Sequence, residues 1–318
     1  MEKGESTMAT STPAIGITGL RKAYGDHTVL DGIDLRVETG SVFALLGPNG
    51  AGKTTTVQIL STLLAPDGGE ASVAGHDVVR DPDAVRHAIG VTGQFSAVDD
   101  LLTGEENLQL MADLRHLGRA EGRARVARLL EQFDLAEAAR RLASTYSGGM
   151  RRRLDLAMSL VGVPDIIFLD EPTTGLDPRS RRTMWSIIRE LVAGGVTVFL
   201  TTQYLEEADQ LADRIAVLHD GKLVAEGTAE ELKRLVPGGH VLLRFADQRT
   251  LDTGARLFDD VVRDEDALTL QVPSDGGVHS LRKLLDRLDS ADVDVAELSV
   301  HLPDLDDVFL ALTERSAR

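Results

Sequence analysis

Apolar and polar positions alternate along this chain in two different periods. Val42-Phe43-Ala44-Leu45-Leu46 is a continuous apolar run, the pattern of a parallel strand buried on both faces. A helix follows it, with Val57, Leu60 and Leu64 on one face, and Pro66-Asp67-Gly68-Gly69 stops that helix. From about Leu102 to Val161 the period is helical throughout. Within it Thr103 to Glu106 reads as a capping box, and Gly118 is expected to end the helix it opens. Ile166-Ile167-Phe168-Leu169 is a second buried strand. Asp177-Pro178 then reads as an N-cap with proline at the first helical position, and Met184, Ile187, Ile188 and Leu191 share one face of that helix. Val196 to Leu200 is a further apolar strand, and Asp220-Gly221 between Ile215–Leu218 and Leu223–Ala225 marks a hairpin. This alternation of strands and helices is that of an α/β protein.

Pro237-Gly238-Gly239 is the expected boundary between a domain over residues 14–236 and an accessory domain over 239–318. Beyond it the pattern predicts strand 241–245, helix 250–258, strands near 261–262 and 268–272, helix 278–288, strand 297–301 and helix 304–313. The order β-α-β-β-α-β points to a small α+β domain of ferredoxin-like type. It holds 17 acidic against 9 basic residues, a net charge of −8. No nucleotide motif falls within it, so an interaction or regulatory module is expected there.

Composition narrows the function classes. The 42% hydrophobic content accords with a globular core. A net charge of −17 argues against nucleic acid as the main partner and against direct adsorption to an anionic membrane. No apolar run approaches the roughly 18 residues that span a bilayer, so direct membrane insertion is not expected. Residues 1–13 are polar and lack an apolar core, which reads as a disordered lead. The absence of cysteine fits the cytosol, and the eight histidines are too scattered for a zinc site.

The chemistry-bearing residues stand at three places. Gly47-Pro48-Asn49-Gly50-Ala51-Gly52-Lys53-Thr54 is a full G-x-x-x-x-G-K-[ST] loop between a strand and a helix. Its glycines let backbone N–H groups curl around a β-phosphate, and Lys53 supplies a point charge to the β- and γ-phosphates. The Thr54 hydroxyl is a ligand for Mg²⁺, and the helix that opens with Thr54 and Thr55 directs its positive end at the phosphates. Asp170 and Glu171 end a buried strand, where Asp170 is placed to hold Mg²⁺ through water and Glu171 to orient or deprotonate an attacking water. Ser147-Gly148-Gly149 reads as a helix start whose hydroxyl, free N–H groups and dipole favour an anion.

A phosphate loop, a Ser-Gly-Gly helix start and a carboxylate strand in this order resemble the ATP-binding subunits of ABC transporters. The resemblance implies a mostly parallel sheet with a helical subdomain at about 102–161, binding and hydrolysis of ATP with Mg²⁺, and an ATP-sandwiched homodimer. In that dimer Ser147, Gly148 and Gly149 engage the γ-phosphate held by the other copy's loop, and Asp177 communicates across the interface. Asp177 also has an adequate local role as an N-cap. Tyr24 lies where the family stacks an aromatic on adenine, although a lone tyrosine is more often packing. Gln94, within Val91-Thr92-Gly93-Gln94, matches the glutamine that reaches Mg²⁺ or the attacking water. Tyr146 and Met150 replace the leucine and glutamine that usually flank Ser-Gly-Gly.

After Thr201-Thr202 the general family carries histidine, and this chain carries Gln203. An amide still donates a hydrogen bond to a γ-phosphate but cannot become cationic. Together, the blocks Tyr146 to Asp155, Thr201 to Asp213 and Leu305 to Thr313 resemble the daunorubicin/doxorubicin-resistance subfamily of exporters, in which Gln203 is the expected residue. The implied partners are an integral-membrane permease and a second copy of the chain, at the inner face of a bacterial membrane. The implied cargo is a hydrophobic drug or lipid. The competing reading is a soluble ABC-type ATP switch without a permease.

Overall fold

The computed structural model describes residues 12–94, 96–235, 239–301 and 303–316. Its elements run β1 (Ile15–Tyr24), β2 (His27–Val37), β3 (Val42–Leu46), α1 (Lys53–Leu60), β4 (Gly68–Val73), β5 (His76–Asp77), α2 (Pro82–Ala88) and β6 (Ile89–Thr92). There follow α3 (Gly104–Leu114), α4 (Arg119–Gln132), two short 3₁₀ turns, α5 (Gly148–Ser159), β7 (Ile166–Asp170), α6 (Pro178–Ala193), β8 (Thr197–Thr202), α7 (Leu205–Leu211), β9 (Arg214–His219), β10 (Lys222–Gly227) and α8 (Ala229–Lys233). The last group is β11 (His240–Arg244), α9 (Gln248–Ala255), β12 (Val262–Asp264), β13 (Thr269–Pro273), α10 (Val278–Ser290), β14 (Glu297–His301) and α11 (Leu305–Ser316). The chain divides into two units, one up to Ala229 and one from Glu230. Pro237 and Gly238, where the sequence places a boundary, and most of the N-terminal lead lie outside the described residues.

The first unit is built on a sheet of order β10-β9-β3-β8-β7-β6, parallel except for β10. Every residue of β3, β7 and β8 is buried, as their unbroken apolar runs require. Phe43, Phe199 and Phe168 stand opposite one another across β3, β8 and β7. Their rings meet at 5.7 Å between centroids in both pairs. A slip of one residue would turn this buried row to the other face, so it helps to hold the strands in register. A second, antiparallel sheet of order β2-β1-β4-β5 contributes Ile15, Leu20, Leu30 and Val73 to the same core. At the β9–β10 hairpin, Asp220 and Gly221 take φ of 47° and 74°, the two positive values of a type I′ turn.

The helical stretch departs from expectation at two points: between α4 and α5 the chain leaves the α-helix for two 3₁₀ turns, and its first helix ends early. The capping box of Thr103 and Glu106 opens α3 as predicted. The helix ends at Leu114, however, with His116 in the left-handed region at φ 55°. Gly118 is instead the N-cap of α4. Its φ of −59° is not the left-handed value that a terminating glycine supplies.

The second unit has a sheet of order β12-β13-β11-β14 with every pair antiparallel. Val241, Leu243, Leu251, Leu270, Leu284 and Leu288 form its core.

Candidate active site

Strand register assembles the site. In β3, β8 and β7, Leu46 lies opposite Thr202 and Thr201 opposite Asp170; on the far side of β7, Thr92 of β6 lies opposite Leu169. The loop after β3, Gln94 beyond β6, Asp170 and Glu171 at β7 and Gln203 beyond β8 therefore leave the sheet at one edge, outside the carboxyl ends of parallel strands. Gly47 passes so close to β9 that a Cβ would meet the Leu218 carbonyl oxygen at 2.4 Å. Gly52 has φ 106°, and a Cβ there would lie 2.7 Å from Leu30 Cδ2 and 2.9 Å from the Val29 carbonyl oxygen. Glycine at 52 is thus required by both conformation and space.

Lys53 is buried, and its Nζ donates to the carbonyls of Gly47 (2.9 Å) and Pro48 (3.1 Å). The same Nζ stands 3.5 Å from Glu171 Oε1. The Asp170 carboxylate is held from both sides: Thr54 Oγ1 donates to Oδ2 at 2.9 Å and Thr201 Oγ1 to Oδ1. Glu171 adopts φ 49°, a left-handed conformation that costs a non-glycine residue of order 1 kcal/mol. Its N–H donates to the Thr201 carbonyl (3.1 Å) and Oγ1 (3.2 Å), and Thr174 Oγ1 donates to its Oε2 (3.2 Å). This turn brings the Glu171 side chain back into the cleft.

The cleft has a volume of about 480 Å³. Asn49, Gly50, Gly52, Lys53, Thr54 and Thr55 line it from the loop and α1, and Gln94 and Glu171 from the sheet edge. Asp170 lies behind Thr54. His27 and Val29 of β2 complete the wall. Nothing in the sequence singles out these two, since neither carries a motif and only sheet pairing brings β2 there. Tyr24 does not line the cleft. It is about half exposed, opposite His27 at the β1–β2 turn, with its ring centroid 5.8 Å from Lys22 Nζ. Gln203 follows β8 between the loop and Glu171, but it does not line the cleft either.

Ser147 is the N-cap of α5, accepting from the Met150 N–H at 3.2 Å. Its neighbour Tyr146 is buried, donates its hydroxyl to the Ala138 carbonyl at 2.8 Å, and packs where any Cβ on Gly104 would reach. The tyrosine thus ties the Ser-Gly-Gly helix start to α3. Gly149 is needed because a Cβ would fall 2.5 Å from Ser180 Oγ on α6. Ser147 and Gly149 open into a cleft of about 190 Å³, shared with Asp134, Arg153, Arg179 and Ser180. Among the described residues, none lines both clefts. Asp177 caps α6, accepting from the N–H groups of Arg179 and Ser180 (both 2.9 Å) and from Ser180 Oγ (2.6 Å). Those donors, the Ser180 hydroxyl first, hold its carboxyl below the usual range.

The donor set suits Mg-ATP. Thr54 and Asp170 supply the hard oxygens that Mg²⁺ prefers, and their hydroxyl and carboxylate already meet. The loop N–H groups and Lys53 suit a polyphosphate. When bound, Mg²⁺ would neutralise charge developing on the phosphates. Such a loop, lysine and carboxylate pair at one edge of a parallel sheet define a P-loop nucleoside triphosphatase.

Comparison with known proteins narrows this class. The ABC transporter family model matches residues 30–174. A daunorubicin resistance ATP-binding protein of Streptomyces coeruleorubidus is 51% identical over 302 residues, covering 94% of this chain and 96% of that protein. A daunorubicin/doxorubicin resistance ATP-binding protein of Streptomyces peucetius is 50% identical over 96% of this chain and 94% of that protein. A Nod factor export ATP-binding protein of Ralstonia nicotianae is 37% identical over 97% and 96% of the two chains. Among solved structures, a dimeric ATP-binding cassette with ADP and phosphate matches at TM-score 0.62 and 27% identity, over 67% of this chain and 98% of that one. The chain belongs to the ABC transporter ATP-binding proteins, within the subfamily of the daunorubicin/doxorubicin resistance proteins, and is an ATPase.

Proposed function

We propose that this chain is the ATP-hydrolysing motor of a bacterial exporter and works as a pair of identical subunits on a separate membrane permease. The observation that carries the reading is the separation of two phosphate-ready half-sites. The Lys53 loop lines one cleft and the Ser147 helix start another. In a two-fold pair each Ser147 faces the loop of the other copy, and two ATP molecules close the interface. Lys53 and the loop hold the β- and γ-phosphates, while Thr54 and Asp170, with Gln94, hold Mg²⁺. Glu171 orients and deprotonates the attacking water, and Gln203 donates to the γ-phosphate. Tyr24 flanks the adenine, and Asp177, which holds Ser180 beside Gly149, sits at the seam.

No helix among the described residues is long and apolar enough to cross a membrane, which agrees with a partner that supplies the pathway. The relatives are named for resistance to daunorubicin and doxorubicin and for export of Nod factor, which supports an exported cargo, here proposed to be a hydrophobic drug or lipid. The site would then lie on the cytoplasmic face, and residues 239–318 would form an accessory domain.

The test is co-purification of tagged Glu171→Gln protein from native membranes in mild detergent with ATP and Mg²⁺. A multi-spanning permease in stoichiometric amount is expected. A stable ATP-bound dimer that brings down only soluble partners would move the assignment to a cytosolic switch.

A further inference from the structure

Just beyond Ser147, α5 carries a largely buried ion pair. Arg152 Nη1 lies 3.2 Å from Asp155 Oδ2, with 11% and 4% of the two side chains exposed. Desolvating two charges is costly, so such a pair persists only where further hydrogen bonds satisfy it. Here they go to the catalytic segments. Arg152 Nη1 donates to the Gly93 carbonyl at 2.8 Å and Nε to the Pro172 carbonyl at 2.9 Å. Nη2 donates to the carbonyls of Asp170 (3.1 Å) and Glu171 (3.3 Å). Asp155 Oδ1 accepts the Ala97 N–H at 3.0 Å.

Two consequences follow from this geometry. Gln94 lies between two anchors, with Gly93 held by Arg152 and Ala97 by Asp155, so one ion pair brackets its loop. At β7 the chain leaves the sheet through the left-handed Glu171, and three successive carbonyls there converge on one guanidinium. The planar fork of arginine satisfies that many acceptors at once, which a lysine ammonium on a flexible stem cannot do in the same plane.

We propose that Arg152, oriented by Asp155, is a positioning residue for hydrolysis: it ties Gln94 and Glu171 to the helix that presents Ser147, so that a nucleotide engaging Ser147 sets the geometry of this chain's own catalytic centre. This rests on the reading of Gln94 and Glu171 as hydrolytic residues. The coupling runs through hydrogen bonds within one chain, so each copy in a pair senses whether its Ser147 is occupied before its own ATP is cleaved.

The experiment compares wild type, Arg152→Lys and the paired Arg152→Gln/Asp155→Ala, which removes both charges and leaves neither buried alone. Glu171→Gln is the control. Measured are the Kd of a fluorescent ATP analogue, kcat, KM and the melting temperature. Displacing Gln94 and Glu171 by a fraction of an ångström to an ångström should lower kcat by between about tenfold and a hundredfold. Kd should stay within about threefold, because the phosphate loop is untouched. Arg152→Lys should fall between the two, and it decides on the same readings if the paired variant does not fold. Ser147→Ala should lower kcat by a smaller factor in the Arg152 variants than in wild type, the remainder being its direct contact with the γ-phosphate held by the other copy. Full kcat in a folded Arg152 variant, equal losses in kcat and Kd, or additive losses with Ser147→Ala would overturn the proposal. Undiminished hydrolysis by Glu171→Gln would instead remove the reading on which it rests.

Discussion

Thr201 decides how firmly Asp170 is held, and Thr201→Val isolates that role. Valine fills the same volume on a fully buried β8, so neither a cavity nor a loss of strand propensity enters. What disappears is the hydroxyl that donates to Asp170 Oδ1 and shares the Glu171 N–H. Asp170 is only 2% exposed, so the abandoned oxygen gains little from water. A hydrogen bond to a buried carboxylate is worth about 2 kcal/mol. For a unit of this size that lowers the melting temperature by roughly 4–8 °C. Thr201→Ser keeps the hydroxyl and loses one buried methyl, about 0.8 kcal/mol, and should melt between the two. The assay is thermal unfolding of the three proteins without nucleotide, followed by the Mg²⁺ dependence of ATPase activity. Higher Mg²⁺ should be needed by the valine variant alone. The reasoning fails if Thr201→Val is as stable as Thr201→Ser. It also fails if a cycle with Asp170→Asn shows no coupling, where contacting pairs give at least about 0.5 kcal/mol.

Gly52→Ala should abolish ATP binding in equilibrium dialysis and destabilise the fold by about 1–3 kcal/mol, since φ 106° and the Val29 carbonyl both exclude a side chain. Gly149→Ala should leave nucleotide affinity of the single chain intact but lower kcat, because its Cβ would displace Ser180 and re-aim the Ser147 helix start. Asp177→Ala should destabilise the protein at pH 7, and the gap from wild type should close under acid. The folded carboxyl titrates below its unfolded value of about 3.9, so its contribution is complete above that pH and is lost as pH falls through the folded value. In a His27→Gln background, which removes the imidazole lining the cleft, kcat should be flat from about pH 6 to 8, whereas adding Gln203→His should bring an inflection near pH 6.5; an inflection of that kind with Gln203 intact would refute the assignment.

Much of the site was legible because its information is local. The apolar run before Gly47 and the one before Asp170 each specify a buried strand, and the residues that follow inherit the strand's carboxyl end. Ser147 and Asp177 cap helices through bonds to N–H groups two or three residues away, and Asp220-Gly221 bends through its own dihedral angles. The same local logic misassigned Gly118, since a glycine that commonly follows a helix end is also tolerated at the start of the next. At that point the left-handed turn at His116 ended α3 first.

The sequence by itself therefore determined the class of protein, the phosphate loop and its flanking elements, the strand that ends at Asp170, and the helix start capped by Ser147. Tertiary structure decided which distant groups hold them. Thr201 reaches Asp170 across 31 residues, and Arg152 reaches Gly93 across 59. His27 and Val29 arrive from a different sheet. These contacts depend on the order and register of strands joined by long crossovers, which the buried row Phe43, Phe199 and Phe168 helps to set and no local propensity encodes. The separation of Ser147 from Lys53 into two clefts is of the same kind, because it follows from where α5 packs on α6 through Gly149 and Ser180.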